Sequence, residues 1–154
     1  MPKTPLNPII RVACPEDIDH LTGLLQSLFA IEEDFAFDAA LQRRGLQQLL
    51  AEPTARIMVA DVDGETIGMC SGQLTISTAE GGPALLLEDL VVREDYRGRG
   101  IGKNLTESLE LWANRNGVSR LQLLADRNNF PALAFYRKHG WEFTKLICLR
   151  KKLP

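Results

Sequence analysis

The residues most suited to chemistry lie in one short run, Arg97-Gly98-Arg99-Gly100-Ile101-Gly102-Lys103, between the apolar stretch 85–92 and the start of a helical apolar pattern. Glycines at alternate positions let successive backbone N–H groups converge on one point. A helix starting there adds its unsatisfied N–H groups and positive dipole end. That point suits an anion. Arg97, Arg99 and Lys103 surround it with cationic charge, which favours a pyrophosphate or phosphate over a lone carboxylate. Two familiar phosphate loops do not fit. A Walker A loop needs Gly at position 97 and Ser or Thr at 104, but these are Arg97 and Asn104. The dinucleotide fingerprint G-x-G-x-x-G fails because Gly98, Gly100 and Gly102 are evenly spaced and come late, after a meander of strands.

A second constellation lies downstream. Asn129, Ala132, Phe135, Tyr136 and Gly140 stand at the spacing N-x-x-A-x-x-F-Y-x-x-x-G. With Arg97, Gly100 and Gly102 at the spacing Arg, two residues, Gly, one residue, Gly, the chain resembles the GNAT superfamily of N-acetyltransferases. Glu88-Asp89, Val92, Asp95-Tyr96-Arg97-Gly98 and Gly100-Ile101-Gly102 resemble the diamine acetyltransferases within it. Trp141 replaces the usual Phe or Leu, an apolar swap. The resemblance follows the element order over residues 9–150, with its specific motifs at 84–103 and 129–141. It implies acetyl-CoA as acetyl donor, with the pyrophosphate held by main-chain N–H groups from Arg97 to Lys103. It further implies that backbone groups of Leu90, Val91 and Val92 bond the pantetheine arm where their strand splays from its neighbour. Asn129, Ala132 and Tyr136 would line the other side of the cofactor. Tyr136 matches the family's general acid, which protonates the departing thiolate, and acetyl transfer would proceed by direct attack without a covalent enzyme intermediate.

The amine to be acetylated raises its own requirement. Near pH 7 it is mostly ammonium, and only the neutral form attacks a thioester, so a base or water relay is needed. Glu88 and Asp89 are consecutive carboxylates in an apolar strand, and alternation sends them to opposite faces unless a bulge intervenes. Glu88 is the favoured base. Asp89, a water relay, or a carboxylate merely paired with an Arg are the open alternatives. A backbone N–H near Leu90 could polarise the acetyl carbonyl. Glu32, Glu33 and Phe35, with Asp89, form a weaker candidate acceptor site that would attract a small cationic amine or a lysine or N-terminal amine. A solvated acidic loop is the plain alternative. A non-catalytic acetyl-CoA-binding regulator is the second function class. His20 and His139 read as structural or capping residues, Cys70 has no identifiable base, and neither H-E-x-x-H nor G-x-S-x-G occurs, so no metal is expected.

Positioning these residues requires an α+β domain. Ile9 opens a first strand; Ile18, Leu21, Leu25 and Leu28 mark a helix, and Asp38 is placed to cap a second. From Arg56 the pattern turns to strands, with Asp63-Gly64 as a hairpin turn and a third meander strand ending at Val92. A helix over 103–116, a buried strand over 120–125, a helix capped by Asn129 and a last strand over 143–149 complete the order β-α-α-β-β-β-α-β-α-β. The expectation is a mixed, mostly antiparallel sheet of about six to seven strands flanked by four helices, the acyl-CoA N-acyltransferase fold, in one domain over 9–154 after a flexible arm at 1–8. The 154 residues suffice for one core. A net charge of −2 argues against nucleic acid as a partner, and no apolar run approaches a bilayer span. A cytoplasmic protein is expected, compatible with a homodimer.

Overall fold

The computed structural model describes residues 7–32 and 34–154, so residues 1–6 of the expected arm and Glu33 lie outside the described residues. Strand β1 (Ile9–Val12) is followed by a short turn of helix at Pro15–Asp17, where proline's fixed φ suits a first turn. Helix α1 (Ile18–Ile31) then buries Leu21, Leu24, Leu25 and Leu28 along one stripe. Asp38 caps α2 (Ala39–Ala51), its side chain accepting from the N–H groups of Ala40 and Leu41. Strands β2 (Ala55–Val62) and β3 (Glu65–Ser77) are joined at Asp63 and Gly64, whose φ values of 52° and 84° give the twist a tight hairpin needs. Strand β4 (Gly82–Val92) completes the meander. Helix α3 (Ile101–Arg115), strand β5 (Leu121–Leu123) and helix α4 (Phe130–Lys138) follow, the last capped by Asn129, whose side chain accepts from the Ala132 N–H.

The strands lie in the order β1-β2-β3-β4-β5, antiparallel except for the parallel β4–β5 pair. One face carries α1 and α2: Leu21, Leu24, Leu25 and Leu28 pack with Leu46 of α2 against Ile57, Val59, Met69 and Val91. The other carries α3, whose Leu109 presses on Gly72, where any Cβ would collide with it. A sheet with helices on both faces and one parallel pair is the expected α+β class.

Two expectations need correction. Five strands form, not six to seven, because residues 143–149 pair with no strand among the described residues and expose Phe143, Leu146, Ile147 and Leu149. The strand expected over 120–125 contracts to Leu121–Leu123 and is not buried, since it pairs with β4 only from Leu85 to Leu87. The chain divides into two compact units, Met1–Leu123 and Leu124–Pro154. Among the described residues no helix is long and apolar enough to cross a membrane.

Candidate active site

The glycine-rich turn joins β4 to α3 by way of a short helical turn at Glu94–Tyr96. Gly98 and Gly100 take φ of 73° and 80°, the left-handed region that only glycine enters freely, and Gly100 is the N-cap of α3. No side chain caps this helix, which leaves its first N–H groups open to an anion. A Cβ at Gly98 or Gly100 would meet nothing within 4 Å beyond its chain neighbours, so the space beside these glycines is open. This geometry fits a pyrophosphate. Side chains brace the turn from outside. Arg97 Nε donates to the Val92 carbonyl at 2.8 Å, Arg93 holds Asp95 and Glu65, and the Arg93 and Arg99 guanidinium groups both lie over the Tyr96 ring. Lys103 stands 3.7 Å from Glu107 on the solvent side of α3.

Upstream, β4 has β3 on one side throughout, but β5 accompanies it only as far as Leu87. Leu90, Val91 and Val92 therefore present one edge of their backbone to no strand among the described residues. The same segment is bent. Ser71 of β3 pairs with Glu88 and Met69 with Val91, so Cys70 alone faces both Asp89 and Leu90. This is a β-bulge, and Asp89 within it takes φ of 52°.

The bulge brings Asp89 to the cleft. Leu85 packs beside Gly72 and Leu109 on the α3 face, and strict alternation would send Asp89 to that face too. The extra residue instead turns Asp89 to the α1/α2 face, and Val91 follows it into the core under α1. Asp89 lines a cavity of about 390 Å³ formed with Leu25 and Phe29 of α1, Leu49 of α2, Glu52 just past its end, and Gln73 of β3. Burial pushes its carboxyl up to about 7, and the negative charges of Glu88 and Glu32 push in the same direction. Glu88, in contrast, is exposed. Glu32 is the C-cap of α1, and Phe35 stacks on Phe29 with ring centroids 5.4 Å apart, so the loop between the helices forms part of this region. Sequence reasoning missed Glu52 and Gln73. The only local hint is that Glu52 directly follows the last apolar residues of α2.

Cys70 points the other way. Its buried thiol donates to the Leu105 carbonyl of α3 at 3.5 Å, and burial pushes its pKa up, so it is not a nucleophile for the α1/α2 cavity. In the second unit, Asn129 caps α4, Ala132 lies in its first turn, and Tyr136 packs edge-on to Phe135 and Trp141, with Gly140 at φ of 89° ending the helix. Trp141, the departure from the usual residue, thus serves as a packing partner of Tyr136.

Comparison with known proteins assigns the class. The acetyltransferase (GNAT) family matches residues 21–141, which contain most of α1, all of α2, the glycine-rich turn and α4; the chain belongs to this family. It is an acetyl-CoA-dependent N-acetyltransferase. An aminoglycoside N(6')-acetyltransferase type 1 of Stenotrophomonas maltophilia is 26% identical over 144 residues, covering 91% of this chain and 90% of that one. A Bacillus subtilis (strain 168) protein provisionally named a ribosomal protein bS18-alanine N-acetyltransferase is 26% identical over 127 residues, 82% of this chain and 76% of that one. The solved structure of the aminoglycoside N-acetyltransferase AAC(6')-Iy with CoA shares the fold with a TM-score of 0.83 at 19% identity, covering 99% of this chain and 98% of that one.

Proposed function

We propose that this enzyme acetylates a small cationic primary amine bound in the α1/α2 cavity, by direct attack on acetyl-CoA, with Asp89 accepting the amine's proton directly or through one water. The observation that carries this reading is the bulge at Asp89, which places a carboxyl held near neutrality in the cavity. A base whose pKa lies near the working pH accepts a proton readily without being protonated beforehand. Acetyl-CoA supplies the acetyl thioester. The amine, delivered as ammonium, loses one proton to Asp89; its nitrogen bonds the carbonyl carbon and sheds a second proton to solvent as the C–S bond breaks, and Tyr136 protonates the departing sulfur. Bulk solvent then restores the Tyr136 proton and takes the one from Asp89. The role of Tyr136 rests on its place in the motif. That of Asp89 rests on geometry, and it replaces Glu88 as the preferred base because Glu88 is exposed. Direct attack is supported by Cys70 facing α3.

A cavity of about 390 Å³ suits a small molecule. The aminoglycoside relative supports that choice, while the alanine N-acetyltransferase name keeps a protein N-terminus as the competing acceptor. The deciding experiment is thiol release from acetyl-CoA over a panel of diamines, aminoglycosides, lysine peptides and N-terminal peptides. Turnover confined to peptides would sink the small-amine reading.

Two variants test the machinery. Gly100→Ala forces a residue with a Cβ into φ of 80°, a backbone cost of about 1–2 kcal/mol, and places a methyl in the anion concavity. The KM for acetyl-CoA should rise about tenfold with little change in acceptor KM; an unaltered KM would remove the turn from the cofactor site. Tyr136→Phe should lower kcat about 10²-fold, with acetyl-CoA affinity largely retained. An unchanged kcat would end its role as acid.

A further inference from the structure

Arg97 opens the glycine-rich turn, but its side chain is committed to the strand before it. The Nε N–H donates to the Val92 carbonyl at 2.8 Å, across five positions of the chain. Arg93 pairs with Asp95 and Glu65, whereas Arg97 has no acidic partner among the described residues. Its charge is therefore not what places it.

The carbonyl that Arg97 takes lies on the open edge of β4. The Arg93 N–H donates to the Ile67 carbonyl of β3 at 2.8 Å, and Val92 stands opposite Gly68. In an antiparallel ladder this makes Val92 and Gly68 a non-hydrogen-bonded pair, so both backbone groups of Val92 point away from β3. They face the side that β5 accompanies only as far as Leu87. Beyond Val92 the chain turns on itself, with the Tyr96 N–H on the Arg93 carbonyl at 2.9 Å and the Arg97 N–H on the Glu94 carbonyl at 3.2 Å. The Arg97 side chain ties this turn directly back to the strand edge.

We infer that Arg97 is a positioning residue that fixes the spacing between the open edge of β4 and the turn at Gly98 to Gly102. The inference rests on the reading of that edge as the seat of the pantetheine arm and of the turn as the seat of the pyrophosphate. A ligand gripped at two places gains from both only when their separation matches its own length, and a separation fixed in advance lowers the cost of ordering on binding. A ligand that touches the turn alone has no such requirement. With the Val92 carbonyl occupied, the Val92 N–H is the group on this edge left to the arm beside the turn. What the carbonyl needs is an N–H at the position of Nε, and the positive charge is secondary. Glutamine carries an amide N–H the same number of bonds from Cα, without the charge.

Two ligands and three variants test this. Acetyl-CoA and adenosine 3'-phosphate 5'-diphosphate, which keeps the pyrophosphate and lacks the arm, are titrated calorimetrically into the native full chain, Arg97→Met, Arg97→Gln and Gly100→Ala. Arg97→Met, with neither donor nor charge, should weaken acetyl-CoA about five- to tenfold and leave the arm-free diphosphate within about twofold of native. Arg97→Gln should restore most of the acetyl-CoA affinity, a rescue that a phosphate-binding charge would not show. Unchanged acetyl-CoA affinity in Arg97→Met, or Arg97→Gln as weak as Arg97→Met, would overturn the inference. So would equal weakening of both ligands in Arg97→Met, which would make Arg97 a phosphate contact. Gly100→Ala probes the underlying reading and should weaken both ligands, because it alters the turn itself. If it changes neither, or if the arm-free diphosphate does not bind the native protein, the turn is not the pyrophosphate site and the inference falls with it. Loss in Gly100→Ala without rescue by Arg97→Gln would overturn the role of Arg97 and leave the turn in place.

Discussion

Replacing Asp89 by Asn should lower turnover by about 10²- to 10³-fold and abolish the limb of the pH profile centred near 7, while making the folded protein more stable at pH 8. Asn tolerates the positive φ at this position, so the bulge survives and only the ionisable group is lost. In the native enzyme, kcat/KM should rise with pH through about 7 as Asp89 ionises; the amine's own, higher ionisation remains in the variant. Stability runs the other way. The folded carboxyl titrates near 7, above its unfolded value of about 4, so the folded state binds the extra proton between those values. The stabilisation conferred by the protonated form is complete below about pH 4 and lost as pH rises through about 7. Above that, the native protein holds an ionised carboxylate beside Glu88, Glu32 and Glu52 in a partly buried site, at a cost on the order of 2 kcal/mol after allowance for its exposure. Asn removes this cost, so thermal melts at pH 8 should favour the variant and the gain should shrink toward pH 4. A variant retaining most of its turnover with the same pH limb would exclude Asp89 as base.

That carboxylate also marks where sequence reading stops. The Asp63-Gly64 hairpin, the Asp38 and Asn129 caps and the turn at Gly98 to Gly102 were legible because each is fixed by neighbours within a few residues. The Glu88-or-Asp89 choice was not, because it depends on how β4 registers against β3, and one unpaired residue inverts which face a side chain meets. Glu52 and Gln73 lie 21 residues apart in the chain and share a wall only once α2 folds over the sheet. Residues 143–149 alternate like a strand, but a strand exists only where a neighbour takes its backbone groups, and periodicity cannot supply one. The apolar spacing of α1 succeeded for the opposite reason: a helix satisfies its own backbone, so its existence does not await a partner.

The largest stability loss is expected from Asp17→Ala. Asp17 is 5% exposed at the entrance to α1, and its two oxygens receive both terminal nitrogens of Arg11 at 2.8 Å, the Cys14 N–H at 2.8 Å and the Thr66 hydroxyl at 3.0 Å. Arg11 also reaches Asp61 at 3.1 Å, so one carboxylate and one guanidinium tie β1, α1, β2 and β3 together. Removing the carboxylate strands three donors, of which only Arg11 can recover hydration at the surface. The loss should be about 3 kcal/mol, the lower part of the range for breaking a buried pair, or roughly 10 °C in Tm for a chain of this size. The hydrogen bonds from Arg11, and after them those from Cys14 and Thr66, hold the Asp17 carboxyl well below the usual carboxylate range. Its contribution is therefore present above the unfolded value of about 4 and is lost as pH falls below that toward the folded pKa. The stability difference between native protein and variant should be flat from pH 5 to 8 and narrow below pH 4, the opposite trend from Asp89, whose variant differs most at high pH. Urea titrations of both variants across this range would measure the two slopes, and an Asp17→Ala protein melting within about 2 °C of native would show that the buried pair merely offsets its own desolvation.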